Sequence, residues 1–198
     1  MAKIRVILYK TPKKWGFKYL VNHLISIRTW SKYSHIEIWT GDDDPRNISS
    51  DKFKSFIPRG NPQFAHSEPP LKQDIAGTCY TSTMRGEDNG TVSRPASEVL
   101  DHPKNWDYIP VTIKDELAYD RMISFLEWAV KENKGYSKWD ILKFISPFHF
   151  PDNDRFICSE IVNDALVIAG ILEGKGIVSP QKCVKKLAKV GFTEIINL

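Results

Sequence analysis

The stretch from Asp154 to Ala165, reading DRFICSEIVNDA, constrains this chain most. Ile161, Val162, Ala165, Leu166 and Ala169 recur at helical spacing, which predicts a buried helix. Cys158 falls on the same stripe, three and four residues before Ile161 and Val162, so its thiol faces whatever the helix packs on. Gly170 is the expected stop. A thiol in a first helical turn lies beside N–H groups that have no partner within the helix, at the positive end of the dipole. Both favour the thiolate, the nucleophilic form. Asp152 and Asp154 just upstream oppose it with their negative charge. A free cysteine often only fills space, so a chemical role for Cys158 requires a partner elsewhere in the chain.

A thiol nucleophile needs a base that takes its proton and later returns it, and histidine titrates near neutrality. The segment Tyr33–Trp39, YSHIEIW, is a strong strand candidate. Alternation puts Ile36 and Ile38 on one face and Tyr33, His35, Glu37 and Trp39 on the other. His35 is thus held mid-strand, where a rigid sheet can aim it. Glu37 follows on the same face, roughly 6.5–7 Å further along the strand, and is one candidate to orient the imidazole, directly or through water. Thr81 and Ser82 on the next predicted strand, and His66, are the others. His102 and His149 lie near prolines and His23 on a predicted helix; Cys79 and Cys183 read as structural.

The rest of the chain supplies further elements. Lys3–Tyr9 is a first strand, and residues 14–27 carry apolar positions at helical spacing. Residues 41–77 are irregular, with three consecutive aspartates and five prolines, and form an insertion that either lines a cleft or is merely solvated. Ser50 caps a short helix through Phe56 within it. Residues 78–83 and 91–93 flank a Gly86–Gly90 turn as a hairpin, and Trp106–Val111 is another strand. Asp115 caps a helix to about Glu132, with Leu117, Met122, Phe125, Leu126 and Ala129 inward. A shorter helix spans residues 138–145, Ser179-Pro180 opens the last helix, and residues 193–196 close as a strand. With no repeat and no low-complexity linker, residues 1–198 read as one α+β domain.

With 198 residues, 41% of them hydrophobic, the chain can build one sizeable core. A net charge of +4 is too mild to demand nucleic acid or an anionic membrane. Three widely spaced cysteines fit neither a disulfide framework nor a zinc site, and the five histidines show no HExxH spacing, so no metal or cofactor is expected. The apolar runs are too short to span a membrane, and no signal-peptide core precedes the first strand. A reducing cytoplasm is the expected compartment, where a free thiol persists.

The order of these pieces resembles a known family. Tyr33-Ser34-His35-Ile36-Glu37-Ile38 comes early, then a hairpin with Tyr80-Thr81-Ser82-Thr83, then Gly135-Tyr136-Ser137-Lys138-Trp139-Asp140, and late in the chain Phe156-Ile157-Cys158-Ser159-Glu160-Ile161-Val162. This is similar to the circularly permuted NlpC/P60, or YiiX-like, branch of papain-like cysteine hydrolases, in which the histidine strand precedes the cysteine helix. The resemblance covers most of the chain outside residues 41–77. It implies a permuted papain-like fold, an antiparallel sheet or small barrel packed against helices, with the nucleophile helix late. It implies Cys158 as nucleophile, His35 as general base and Glu37 as the group that fits Ser-His-x-Glu. Thr81 stands where non-permuted relatives often carry a second histidine. Tyr33, Trp39 and the insertion would shape the cleft, and Thr81, Ser82 and Glu160 join them as substrate-contacting residues, Glu160 with a structural alternative. The implied substrates are peptide, isopeptide or cell-wall peptide bonds, or the esters and amides of acyl lipids. A non-catalytic binding module on the same scaffold is the contrasting possibility.

Overall fold

The computed structural model describes residues 1–12, 31–41, 75–83, 90–132, 157–176 and 178–198. Six strands, β1 (Ala2–Lys10), β2 (Tyr33–Trp39), β3 (Thr78–Thr83), β4 (Gly90–Pro95), β5 (Trp106–Ile113) and β6 (Ile196–Asn197), form one open sheet in the order β4-β3-β2-β1-β5-β6. Every neighbouring pair is antiparallel. Of the two expected arrangements, sheet and small barrel, the chain forms the open sheet.

β1 lies at the centre, and Val6, Ile7 and Leu8 are all fully buried. That explains its unbroken apolar run: both faces of the strand are covered. On one face Ile4, Val6, Leu8, Ile36, Ile38, Ile109, Val111 and Ile113 pack in a core with three helices, α2 (Glu116–Lys131), α3 (Cys158–Ile168) and α4 (Pro180–Lys189). On the other, Ile7, Trp39, Cys79, Trp106 and Tyr108 pack with the short α1 (Ala96–Val99). Neither α1 nor the 3₁₀ turn Pro103–Asn105 was legible as a periodic pattern, since each is about one turn long.

The helix punctuation behaves as its residue types predict. Asp115 Oδ1 accepts the Leu117 N–H at 3.0 Å, and Ser179 Oγ accepts the Lys182 N–H at 3.2 Å, with Pro180 in the first turn. After α3 the N–H groups of Gly170 and Ile171 return to the carbonyls of Val167 and Leu166 at 3.0 and 2.9 Å. The inner stripe of α2 is Ala118, Met122, Leu126 and Ala129. Leu117, expected inward, is 62% exposed, because it precedes that i, i+4 row by one residue and so turns off the stripe. The closing strand is shorter and later than expected, Ile196–Asn197. The helices expected at residues 14–27, 50–56 and 138–145, and most of the turn at 86–90, lie outside the described residues.

The two ends of the 41–77 insertion meet. Thr40 N–H donates to Thr78 O at 3.0 Å, Trp39 Nε1–H to Ala76 O at 2.9 Å, and the Arg5 guanidinium to Gly41 O. Gly41 and Gly77 touch backbone to backbone, an approach only residues without a Cβ allow. The insertion therefore leaves and rejoins the sheet at one point without disturbing β2 or β3. Among the described residues no helix is long and apolar enough to cross a membrane.

Candidate active site

His35 is 6% exposed and Glu37 fully buried on β2. Glu37 Oε1 stands 3.0 Å from His35 Nε2, so the strand spacing between next-but-one residues is bridged by the two side chains themselves. Thr81 Oγ1, from β3, lies 3.1 Å from the same nitrogen. The Thr81 hydroxyl also has Ile36 O at 3.2 Å, an acceptor with no proton to offer. A carboxylate likewise only accepts. The consistent assignment gives Thr81's proton to Ile36 O and places a proton on His35 Nε2, directed at Glu37 and Thr81. Nδ1 then carries the lone pair.

Glu37 also has a charged neighbour that the pattern of residues did not reveal. Arg94 Nη2 on β4 is 3.5 Å from Glu37 Oε1. Register explains the meeting: Cys79 on β3 pairs with Trp39 on one side and with Arg94 on the other, which brings three strands' side chains onto one face. Arg94 is two strands from Glu37 and lies one residue beyond the strand expected at residues 91–93. Burial, then the Glu37 charge, push the Cys79 thiol up, and Arg94 pulls it the other way. Cys79 is thus a buried neighbour of the ion pair.

Cys158 is the first residue of α3 and 7% exposed. It belongs to the helix-side core with Ile161, Val162 and Ala165, as the apolar stripe predicts. The helix begins well anchored. Glu160 Oε2 accepts the Ile157 N–H at 3.5 Å, half of a capping box, since Ile157 has no side-chain acceptor to complete it. Ser159 Oγ donates to Val178 O. Asn163 Nδ2 donates to Gly174 O at 3.0 Å, and Lys186 Nζ reaches Asn163 Oδ1 at 2.7 Å, tying α3 to the following loop and to α4. Glu160 thus has a contact at the helix start.

α3 packs against both β2 and β3, the strands that carry His35 and Thr81. Their ladder is brief. It pairs Ile38 with Tyr80 and Trp39 with Cys79, and no ladder pair joins the two strands at the His35 end. Ile36 and Ile38 alternate onto the helix-side core, whereas His35, which pairs with Tyr9, shares its face with Glu37 and Trp39. Along β2, then, Ile36 and Ile38 meet the core that contains Cys158, on the face opposite to His35.

Other residues of the expected site sit as follows. Tyr33 does not share the face of His35. A bulge in β2 opposite Tyr9 and Lys10 inserts Ser34, which shifts the alternation by one and sends Tyr33 into the helix-side core. Its hydroxyl donates to Asp107 Oδ2 at 2.8 Å, and burial, followed by that hydrogen bond, raises its pKa. Trp39 keeps the expected face, fully buried beneath the Arg5 guanidinium at 4.2 Å. Ser82 pairs with Thr91 and alternates away from Thr81. His66 lies outside the described residues. Cys183 is buried on α4, and burial pushes its thiol up to about 12. Among the described residues no three His, Cys, Asp or Glu side chains converge where a metal ion could sit.

No family model matches the chain, and no curated protein matches it.

Proposed function

We propose that the chain is a cysteine-dependent hydrolase of permuted papain-like plan, with Cys158 as nucleophile, His35 as general base and Glu37 as the group that orients the imidazole. The observation that carries this reading is the buried His35 Nε2–Glu37 Oε1 contact of 3.0 Å on a strand packed by the helix that opens with Cys158. A buried carboxylate holding one ring nitrogen leaves the other as the base, and a cysteine at a helix start is the nucleophile such a base serves.

In the proposed cycle, His35 Nδ1 takes the Cys158 proton as Sγ bonds to an amide or ester carbonyl carbon. The carbonyl electrons move onto oxygen, and the backbone N–H of Cys158 at the helix start helps hold that oxyanion. Collapse expels the amine or alcohol, which takes the proton from the imidazolium. Water then attacks the thioester with His35 again accepting a proton, and the thiol is regenerated. Glu37 and Thr81 keep the ring aligned while its charge alternates. The substrate class is a peptide, isopeptide or acyl-containing molecule.

The test is labelling with a panel of thiol electrophiles, comparing the wild type with Cys158→Ala and His35→Ala. Selective labelling of Cys158, at least tenfold slower without His35, is expected, since base assistance is worth about 10²-fold or more. Cys158 reacting no faster than free cysteine would remove the reading and leave a binding module on this scaffold.

A further inference from the structure

We infer that Arg94 is a positioning residue for this site: through Glu37 it sets whether His35 is held as a base or locked as an imidazolium. The inference rests on the hydrolase reading above for its consequence, and on charge geometry for its substance. Glu37 is fully buried, and its Oε1 receives both His35 Nε2 at 3.0 Å and Arg94 Nη2 at 3.5 Å. A carboxylate removed from water needs a compensating positive charge. If histidine were the sole source, Glu37 and His35 would share a proton as a tight pair. The ring would then stay charged or act as a donor when a base is required. Arginine is permanently charged and supplies that compensation without using a proton. The ring can therefore be neutral at Nδ1 while Glu37 remains a carboxylate.

Among the described residues, Arg94 is the cation set against the Glu37 carboxylate. From β1, Tyr9 pairs with His35, and Arg5 stacks on Trp39 with its guanidinium directed to Gly41 O. From β3 come Cys79, whose burial keeps it neutral, and the uncharged Thr81. Of these, Arg94 is the cation in contact with the Glu37 carboxylate. Its side chain is 26% exposed, so it spans from the solvent to the buried carboxylate.

Replacing Arg94 by an uncharged residue has a defined sign. The field of Glu37 on the ring is no longer offset, and the imidazole holds its proton to higher pH. The experiment follows proton uptake by NMR of the imidazole in the full chain, for wild type, Arg94→Met, Arg94→Gln and Arg94→Lys, with the thiol alkylation rate of Cys158 measured against pH in parallel. The Met and Gln variants should move the imidazole midpoint up by about one pH unit, and Lys should restore most of it. Adding Glu37→Gln to Arg94→Gln should abolish the shift, a coupling that a merely structural arginine would not produce. If Arg94→Met does not fold, the Gln and Lys pair still decides. An unmoved midpoint in a folded uncharged variant overturns the inference, even with Cys158 as nucleophile. A moved midpoint beside an inert Cys158 would instead remove the hydrolase reading.

Discussion

Glu37 reaches back along its own strand to place Oε1 3.0 Å from His35 Nε2. Next-but-one residues on a strand sit roughly 6.5–7 Å apart, a distance that a glutamate leaning along the strand and an imidazole can span together. Because Glu37 and Thr81 meet the same nitrogen, they divide the work of orientation unequally: one carries charge and the other does not. On the hydrolase reading proposed above, Glu37→Gln should lower kcat/KM by about 10²-fold with little change in KM. Thr81→Val should cost less than about tenfold, since Glu37 still holds the ring. Comparable losses in the two variants would count against Glu37 as the principal orienting group.

The three cysteines should separate cleanly by reactivity. Burial raises the thiols of Cys79 and Cys183, the latter to about 12, so at pH 8 both are protonated as well as covered. Mass spectrometry after brief iodoacetamide treatment should find both unmodified in the native protein and modified once guanidinium unfolds it. Native labelling of either at the rate of Cys158 would refute this.

Asp107 ties three segments together. Its carboxylate meets Lys10 Nζ at 2.8 Å, Lys32 Nζ at 3.3 Å and the Tyr33 hydroxyl at 2.8 Å. Burial acts to raise the Asp107 pKa, but the hydrogen bonds from Lys10, Tyr33 and Lys32 outweigh it, and the net direction is down. A carboxyl whose folded pKa is depressed contributes stability above its unfolded value of about 3.9 and loses it as pH falls through the lower folded value. Asp107→Asn should cost about 2 kcal/mol at pH 7, at the low end for a buried pair because Lys32 is largely exposed. In urea melts the gap between variant and wild type should close as the pH falls from the unfolded value through the lower folded one. A gap independent of pH would show that the charge is not the source.

The junction at the base of the insertion gives a backbone test. Gly77 has φ of +104° and abuts Gly41, so Gly77→Ala adds steric conflict to conformational strain and should destabilise by more than about 2 kcal/mol. Gly174 has φ of +72° with open space where an alanine methyl would stand, so Gly174→Ala should lose only about 1 kcal/mol. Equal losses in thermal melts would mean that the contact between the two glycines carries no weight.

Much of this architecture is readable from the chain alone. Local signals settled the bounds of β2, the β3–β4 hairpin, the caps at Asp115 and Ser179 and the helix opening at Cys158, because each depends on residues within one or two turns of chain. The apolar alternation of Ile36 and Ile38 likewise assigned His35 and Glu37 to a common face, since period two is a property of the strand itself. Tertiary structure decided the rest. An inserted Ser34 moved Tyr33 off that face, and a bulge becomes evident only when β1 is laid beside β2. Thr81 and Arg94 reached His35 and Glu37 through the register of β2, β3 and β4, which depends on pairing between segments far apart in the chain. Sequence periodicity places a side chain on a face; only strand pairing determines which distant side chain it meets there, and so which charges a buried carboxylate has to share.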